Sequence, residues 1–263
     1  MDSVNKTLYI PLYGKAKVSA QGILVHDPKA EEIWKKEGFL LKGKAASKWL
    51  AYNMAMRAAV FDQWTDKLLK AHPEASLLHI GCGLDSRCLR VAEQGSTWYD
   101  IDFPQVIRER RKYYEDTQNY RMVGADIREE SWKTEIPAGG TAVVVMEGIS
   151  MYLRREELVK LLRGLKEQFS EVYLLMDCYS TFAAKASRYK NPVNQVGVTT
   201  LYGLDDPALL AKEAGICYRR EHDLTPEALI CQLDRKEQKL FHFLYAGKMA
   251  KSIYRLYEFD TKK

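Results

Sequence analysis

Apolar positions recur along the chain with two different periods. Trp49, Tyr52, Met56, Val60, Trp64 and Leu68 step by three or four residues, the spacing that lines up one face of an α-helix. Pro73 ends that pattern. Further upstream, Asp27 followed by Pro28, Glu31 and Glu32 predicts a helix start. A capping Asp, a first-turn Pro and early acids all suit free N–H groups and the helix dipole. From Ser76 onward, short apolar runs alternate with helical stretches. Strands are predicted at 76–81, 97–102, 120–124, 141–146 and 171–177, and two more at 216–222 and 252–259. Helices are predicted at 84–94, 104–116, 154–169, 206–214 and 238–250. The valine-rich run at 141–146 reads as a central buried strand. Such alternation predicts an α/β fold. Its mostly parallel seven-stranded sheet is covered on both faces, and its last two strands leave room for an antiparallel edge. One domain is expected over 1–263, with an N-terminal helical cap at 1–74, a core at 75–263 and a lid at 179–203.

Composition narrows the classes without changing that picture. Of 263 residues, 46% are hydrophobic and 29% charged, which excludes a disordered chain, a collagen-like chain and a disulfide-stapled miniprotein. The five cysteines, Cys82, Cys88, Cys178, Cys217 and Cys231, include no CxxC pair. They read as reduced packing thiols, with no zinc framework and no metal expected. The longest fully apolar runs, at 142–146 and 172–176, are far short of the roughly 20 residues that cross a bilayer. The first residues lack a basic stretch followed by an apolar run, so no secretory signal and no membrane partner are expected, and the location expected is cytoplasmic. The net charge of +5 is spread out. Its densest cluster, at 108–112, reads as a solvated helix face rather than a nucleic-acid footprint.

In alternating sheets, ligands bind beyond the carboxyl ends of the strands. The first strand ends in Gly81-Cys82-Gly83-Leu84-Asp85-Ser86-Arg87, where glycines permit a tight turn and close backbone approach. Asp102 ends the second, 21 positions past Gly81, where ribose hydroxyls are commonly held. Asp100 shares its face but lies further from the tip. A dinucleotide fits poorly: the third glycine of its fingerprint is replaced by Ser86, and Asp85 would repel a pyrophosphate. S-adenosylmethionine fits better, having a ribose, an adenine, a sulfonium cation and no phosphate. Two further strand tips carry acids. Asp126 is a candidate for the adenine amino group, with Ile127 against the ring, and Glu147 for the ammonium or sulfonium end. Arg57, beside the apolar stripe of its helix, needs a partner: Asp62, Glu74, solvent or a ligand carboxylate.

Taken together, Thr7 to Ala16, His26-Asp27-Pro28, Arg57 with Asp62, the Gly81 to Arg87 turn, Asp100 to Pro104 and Glu147 to Leu153 resemble the leucine carboxyl methyltransferase family. The likeness is closest to its bacterial branch of polyketide O-methyltransferases. The resemblance implies a class I, Rossmann-like methyltransferase that uses S-adenosylmethionine. It implies Arg57 and Lys15 at the methionyl carboxylate, Gly81 and Gly83 under the cofactor, Asp102 on ribose, Asp126 and Ile127 at adenine, and Glu147 near the methionyl end. Lys15 stands where that branch usually has Arg, Asp100 where it has Glu, and Ser86 where it has Thr.

Methyl transfer from a sulfonium is an in-line displacement, so positioning and desolvation dominate. A carboxylate acceptor needs no base, whereas a phenol or alcohol does. Of the histidines, only His222 is expected at a rim, and no histidine–carboxylate pair stands out, which favours a carboxylate on a small-molecule acceptor. Tyr152, Arg188 and Tyr202 are the candidate acceptor contacts, and Lys15 or Arg188 the groups that attract an acidic one. The competing readings are a non-catalytic S-adenosylmethionine sensor and an NAD-dependent oxidoreductase.

Overall fold

The computed structural model describes residues 3–38, 41, 43–91, 95–190 and 200–262. Seven strands form one sheet: β1 (Ser76–Ile80), β2 (Thr97–Asp102), β3 (Tyr120–Gly124), β4 (Thr141–Met146), β5 (Glu171–Tyr179), β6 (Cys217–His222) and β7 (Tyr254–Asp260). Their order is β3-β2-β1-β4-β5-β7-β6. The first five run parallel. β7 inserts between β5 and β6 and is antiparallel to both, the edge that the two late strands left room for. Chain order reverses between β1 and β4. Ile80 pairs with both Ile101 and Met146, so the residues that follow them, Gly81, Asp102 and Glu147, emerge side by side.

Around the sheet lie α1 (Ser3–Ser19), α2 (Pro28–Glu37), α3 (Lys48–Ala71), α4 (Arg87–Arg90), α5 (Pro104–Arg110), α6 (Arg155–Gln168), α7 (Thr181–Lys190), α8 (Pro207–Ala214), α9 (Glu227–Ile230), α10 (Arg235–Phe241) and α11 (Lys248–Ile253). Successive strand residues face opposite sides, and this divides the core in two. Leu77, Val143, Val145, Leu175 and Leu256 meet Met56, Val60, Phe61 and Trp64 of α3 on one face. Leu78, Ile80, Val144, Met146, Leu174 and Met176 meet Leu158, Leu161, Leu162 and Leu165 of α6 and Leu210 of α8 on the other. Most of the predicted α3 stripe is buried. The helix at 28 starts as its signals indicate, with the Asp27 carboxylate accepting from the Ala30 N–H at 2.9 Å.

Several boundaries differ from those expected. The helix predicted over 84–94 is the single turn α4, because residues 81–86 are spent on a turn with positive φ at Gly81 and Gly83; residues 92–94 lie outside the described ones. The helix from Pro104 ends at Arg110 instead of near 116. The helix predicted over 238–250 is interrupted near Gly247, and the last strand begins at Tyr254. Of the expected lid, 191–199 lies outside the described residues. The backbone around it is anchored: the Tyr202 N–H donates to the Met151 carbonyl at 2.8 Å, and Leu204 N–H to Tyr179 carbonyl at 2.8 Å. Among the described residues no helix is long and apolar enough to cross a membrane, and no group of side chains is arranged to hold a metal ion.

Candidate functional site

A cavity of about 610 Å³ opens over the tips of β1, β2 and β4, within the range of small-molecule sites. Its floor is the glycine turn. Gly81 has φ +72°, and a Cβ there would stand 2.0 Å from the Ile149 Cγ2. Gly83 has φ +52° and points its N–H at Asp102, whose Oδ2 accepts it at 2.9 Å. The Asp102 Oδ1 accepts from the Phe103 N–H at 2.8 Å, so this side chain steadies the entry to α5 while tying β2 to the turn. Each carboxylate oxygen has a second lone pair to offer a hydroxyl. Burial pushes the Asp102 carboxyl up to about 6, against the two backbone N–H groups that favour its ionised form. Asp100, by contrast, is wholly buried. It is held by Arg110, by the Tyr120 hydroxyl at 2.6 Å and by the Trp98 indole at 2.9 Å, and does not line the cavity.

Beneath one wall lies a layer of paired charges. Arg57 Nε donates to Glu147 Oε1 at 2.9 Å, and its Nη1 donates to the Tyr254 hydroxyl at 2.7 Å and lies 3.1 Å from Asp177 Oδ2. Neither Asp62 nor Glu74, the two partners considered from sequence, is involved. Among the described residues, Arg57 Nη2 has no partner. The second oxygen of Glu147 accepts from Arg87, which is fully buried and also donates to Asp62 at 2.6 Å. Arg90 binds Asp62, Asp27 and Asp85 at 2.7, 2.7 and 3.0 Å. Lys15 closes the layer at 2.6 Å from Asp85. Burial alone would raise Glu147, but Arg57 and Arg87 outweigh it and hold the carboxyl at about 2. Likewise, Lys15, Arg90 and Arg87 hold Asp85 well below the usual carboxylate range despite its burial. Asp177 goes the other way, raised by burial more than Arg57 and the Tyr254 hydroxyl lower it.

Glu147, expected near the methionyl end, lines the cavity and is at the same time engaged by Arg57 and Arg87, as Asp85 is by Lys15 and Arg90. Buried carboxylates are tolerated only when paired, and here the pairing is internal. Lys15 is likewise committed to Asp85 rather than free to attract an acidic molecule.

At the β3 end, Asp126, Ile127, Phe103 and Arg128 line the cavity. Arg128 forks onto Asp126 (Nε to Oδ1 at 2.9 Å) and lies over the Phe103 ring at 5.8 Å. The opposite end is apolar and aromatic: Leu50, Met54, Tyr152, Tyr179, Leu201 and Tyr254. Tyr179 and Tyr254 pack with ring centroids 4.8 Å apart. Of the acceptor contacts expected from sequence, Tyr152 lines the cavity and Tyr202 does not, its neighbour Leu201 taking that place. The Arg188 side chain lies outside the described ones. His222 is no rim residue: it pairs with Glu258 at 2.6 Å on the sheet edge and does not line the cavity. His79 does line it, but at the bottom, 3.1 Å from Arg87, with burial lowering its pKa. Sequence reasoning gave no role in the site to Arg87, Arg90, Asp177 or Tyr254, and read Asp27 as a helix cap and Asp62 as a partner for Arg57. Arg87, Asp27 and Asp62 stand inside the motifs that carried the family resemblance; Arg90, Asp177 and Tyr254 carried no signal.

Residues 11–166 match the leucine carboxyl methyltransferase family. The chain is 29% identical over 213 residues to the tetracenomycin polyketide synthesis O-methyltransferase TcmP of Streptomyces glaucescens, covering 80% of this chain and 78% of that one. It is 26% identical over 243 residues to the S-adenosyl-L-methionine-dependent methyltransferase dpfgK of Gibberella zeae, covering 83% and 82%. Among solved structures, one of a putative methyltransferase from Thermobifida fusca YX superposes with a TM-score of 0.59 at 12% identity, covering 84% of this chain and 90% of that one, and supports the fold alone.

Proposed function

The chain belongs to the leucine carboxyl methyltransferase family and is an S-adenosylmethionine-dependent O-methyltransferase, and from that premise we propose how its cavity is divided. The cofactor lies across the tips of β1, β2 and β4, and a small, mostly apolar acceptor lies against Tyr152 and Tyr179. The whole chain then works as one methyltransferase domain, with the N-terminal helices roofing the site. The observation that carries this reading is the junction of Gly81, Gly83 and Asp102 at the point where strand order reverses.

The residues suit the group. When bound, S-adenosylmethionine supplies a methyl already activated on a sulfonium. Asp102 holds the ribose hydroxyls, and Gly81 and Gly83 keep the floor free of side chains. Asp126, Ile127 and Phe103 receive the adenine. Arg57 offers its unpartnered Nη2 to the methionyl carboxylate, while Glu147, Asp177 and Tyr254 fix its other nitrogens. Thus Glu147 acts on the cofactor mainly by orienting Arg57, with Lys15 and Arg87 balancing the acids around it.

The acceptor oxygen we assign is a carboxylate. No described side chain at the apolar end is a ready general base: desolvation pushes the Tyr152 phenol up to about 12, and the only lining histidine is buried against Arg87. An ionised carboxylate needs none. Incubation with methyl-labelled cofactor and a panel of aromatic acids and phenols tests this. A methyl ester releases its label under mild alkali and an ether does not. Alkali-stable product from phenols, with none from acids, would overturn the assignment.

A further inference from the structure

Helix α10 continues as wider turns through His242–Ala246, and its two sides do not match. The inner side is packed: Phe241 is fully buried and stacks on Tyr245 with ring centroids 5.2 Å apart, and Glu237 ties the helix to Lys48 at 2.7 Å. The outer side carries Lys236, Lys239, Leu240, Phe243 and Leu244, positions that fall on one helical face. Phe243 is 82% exposed, and Met249, on the adjoining α11, is 79% exposed. Single exposed apolar residues are ordinary, but a run of them on one element marks a contact surface.

The charges around this run choose between occupants. Arg235, Lys236, Lys239 and Lys248 are exposed and have no acidic partner among the described residues. Of the acids close by, Glu237, Glu227 and Asp223 are taken by Lys48, His242 and Lys251, which leaves Asp234 at the start of α10 as a single exposed acid beside four cations. A second copy of the chain would bring the same unpaired cations against these four. A negatively charged surface would neutralise them. Large apolar side chains flanked by lysines on a surface helix is the pattern that seats at the interface of an anionic bilayer.

We propose that the outer face of α10 and the start of α11 is a membrane-association surface for anionic lipid. Leu240, Phe243, Leu244 and Met249 enter the headgroup region, and the lysines meet the lipid charge. The segment runs directly into Tyr254 at the cavity wall, so a chain seated this way holds its apolar pocket close to the bilayer. None of these residues lines the cavity, so this surface and the cofactor site fail or stand separately.

The test is co-sedimentation of the full chain with vesicles of phosphatidylcholine and phosphatidylglycerol in equal parts, and with phosphatidylcholine alone. Binding to the mixed vesicles only is expected, weakening as salt is added. Each of Lys236→Gln and Lys239→Gln should weaken it about fivefold, and Phe243→Asp should abolish it. Affinity for S-adenosylhomocysteine and thermal stability should not change in these variants. No sedimentation with either vesicle, or equal sedimentation with both, overturns the proposal. So does a wild-type dimer in solution that Phe243→Asp converts to monomer, which assigns the face to a second copy.

Discussion

The wall of the cavity beneath β1, β2 and β4 is charged and internally paired, while the wall formed by Leu50, Met54, Tyr152, Tyr179 and Leu201 is apolar and partly open. On the first wall every acid meets a guanidinium, an ammonium, a hydroxyl or a backbone N–H at hydrogen-bond distance. Its geometry is therefore settled before any ligand arrives. The second wall has contact area and shape but few polar anchors. It can be remodelled by changing one apolar side chain for another, at little cost to folding.

The comparison breaks most visibly at Arg87. Arg87→Ala removes one of the two buried cations that Asp62 and Glu147 each face, leaving Asp62 to Arg90 and Glu147 to Arg57. Removing one partner of a buried pair costs about 3–5 kcal/mol, to be read from urea unfolding. A loss under about 1 kcal/mol, the surface-pair range, would mean the charged wall is not mutually supporting.

Gly81→Ala comes next. A Cβ at φ +72° would lie 2.0 Å from Ile149, and overpacking of this kind costs about 1–3 kcal/mol. The loss should appear both in stability and in calorimetric affinity for S-adenosylhomocysteine, because the turn is floor and fold at once. Wild-type affinity in this variant would remove the turn from the site.

Asp102→Asn sharpens the comparison by pH. In the folded chain this carboxyl titrates near 6, above its ordinary range, so folding favours its protonated form. The stability so gained is full below the unfolded value of about 3.9 and is lost as pH rises through about 6. The wild type should show that decline and the Asn variant should not. Cofactor affinity should follow the opposite course, weakening in the wild type as pH falls through 6. At pH 7.5 the variant should bind about 1 kcal/mol more weakly, the difference between a charged and a neutral acceptor.

The smallest effect belongs to the apolar wall. Tyr152→Ala should raise the acceptor KM several-fold and leave cofactor affinity and unfolding free energy nearly unchanged, since Tyr152 is 37% exposed. An equal loss of cofactor affinity would show that the two walls are not separable.

The alternation of apolar runs with helical stretches determined the sheet and its layers. The periods of two and of 3.6 are local properties that neighbouring residues impose on each other. The same local logic reached Gly81, Gly83 and Asp102, because a tight turn at a strand end demands particular residues at particular spacings. It also located Asp126, Ile127, Glu147 and Arg57 at the cavity. It did not reach their partners. Arg57 meets Tyr254 from the antiparallel β7, and Asp62 meets Arg87 and Arg90 rather than Arg57. Spacing along the chain carries no information on which buried cation a given acid will face. That choice follows from where the packed helices set each Cα. Only the tertiary structure turned a row of acids into a neutralised layer, since burying those charges is affordable only when the fold brings opposite charges within about 3 Å.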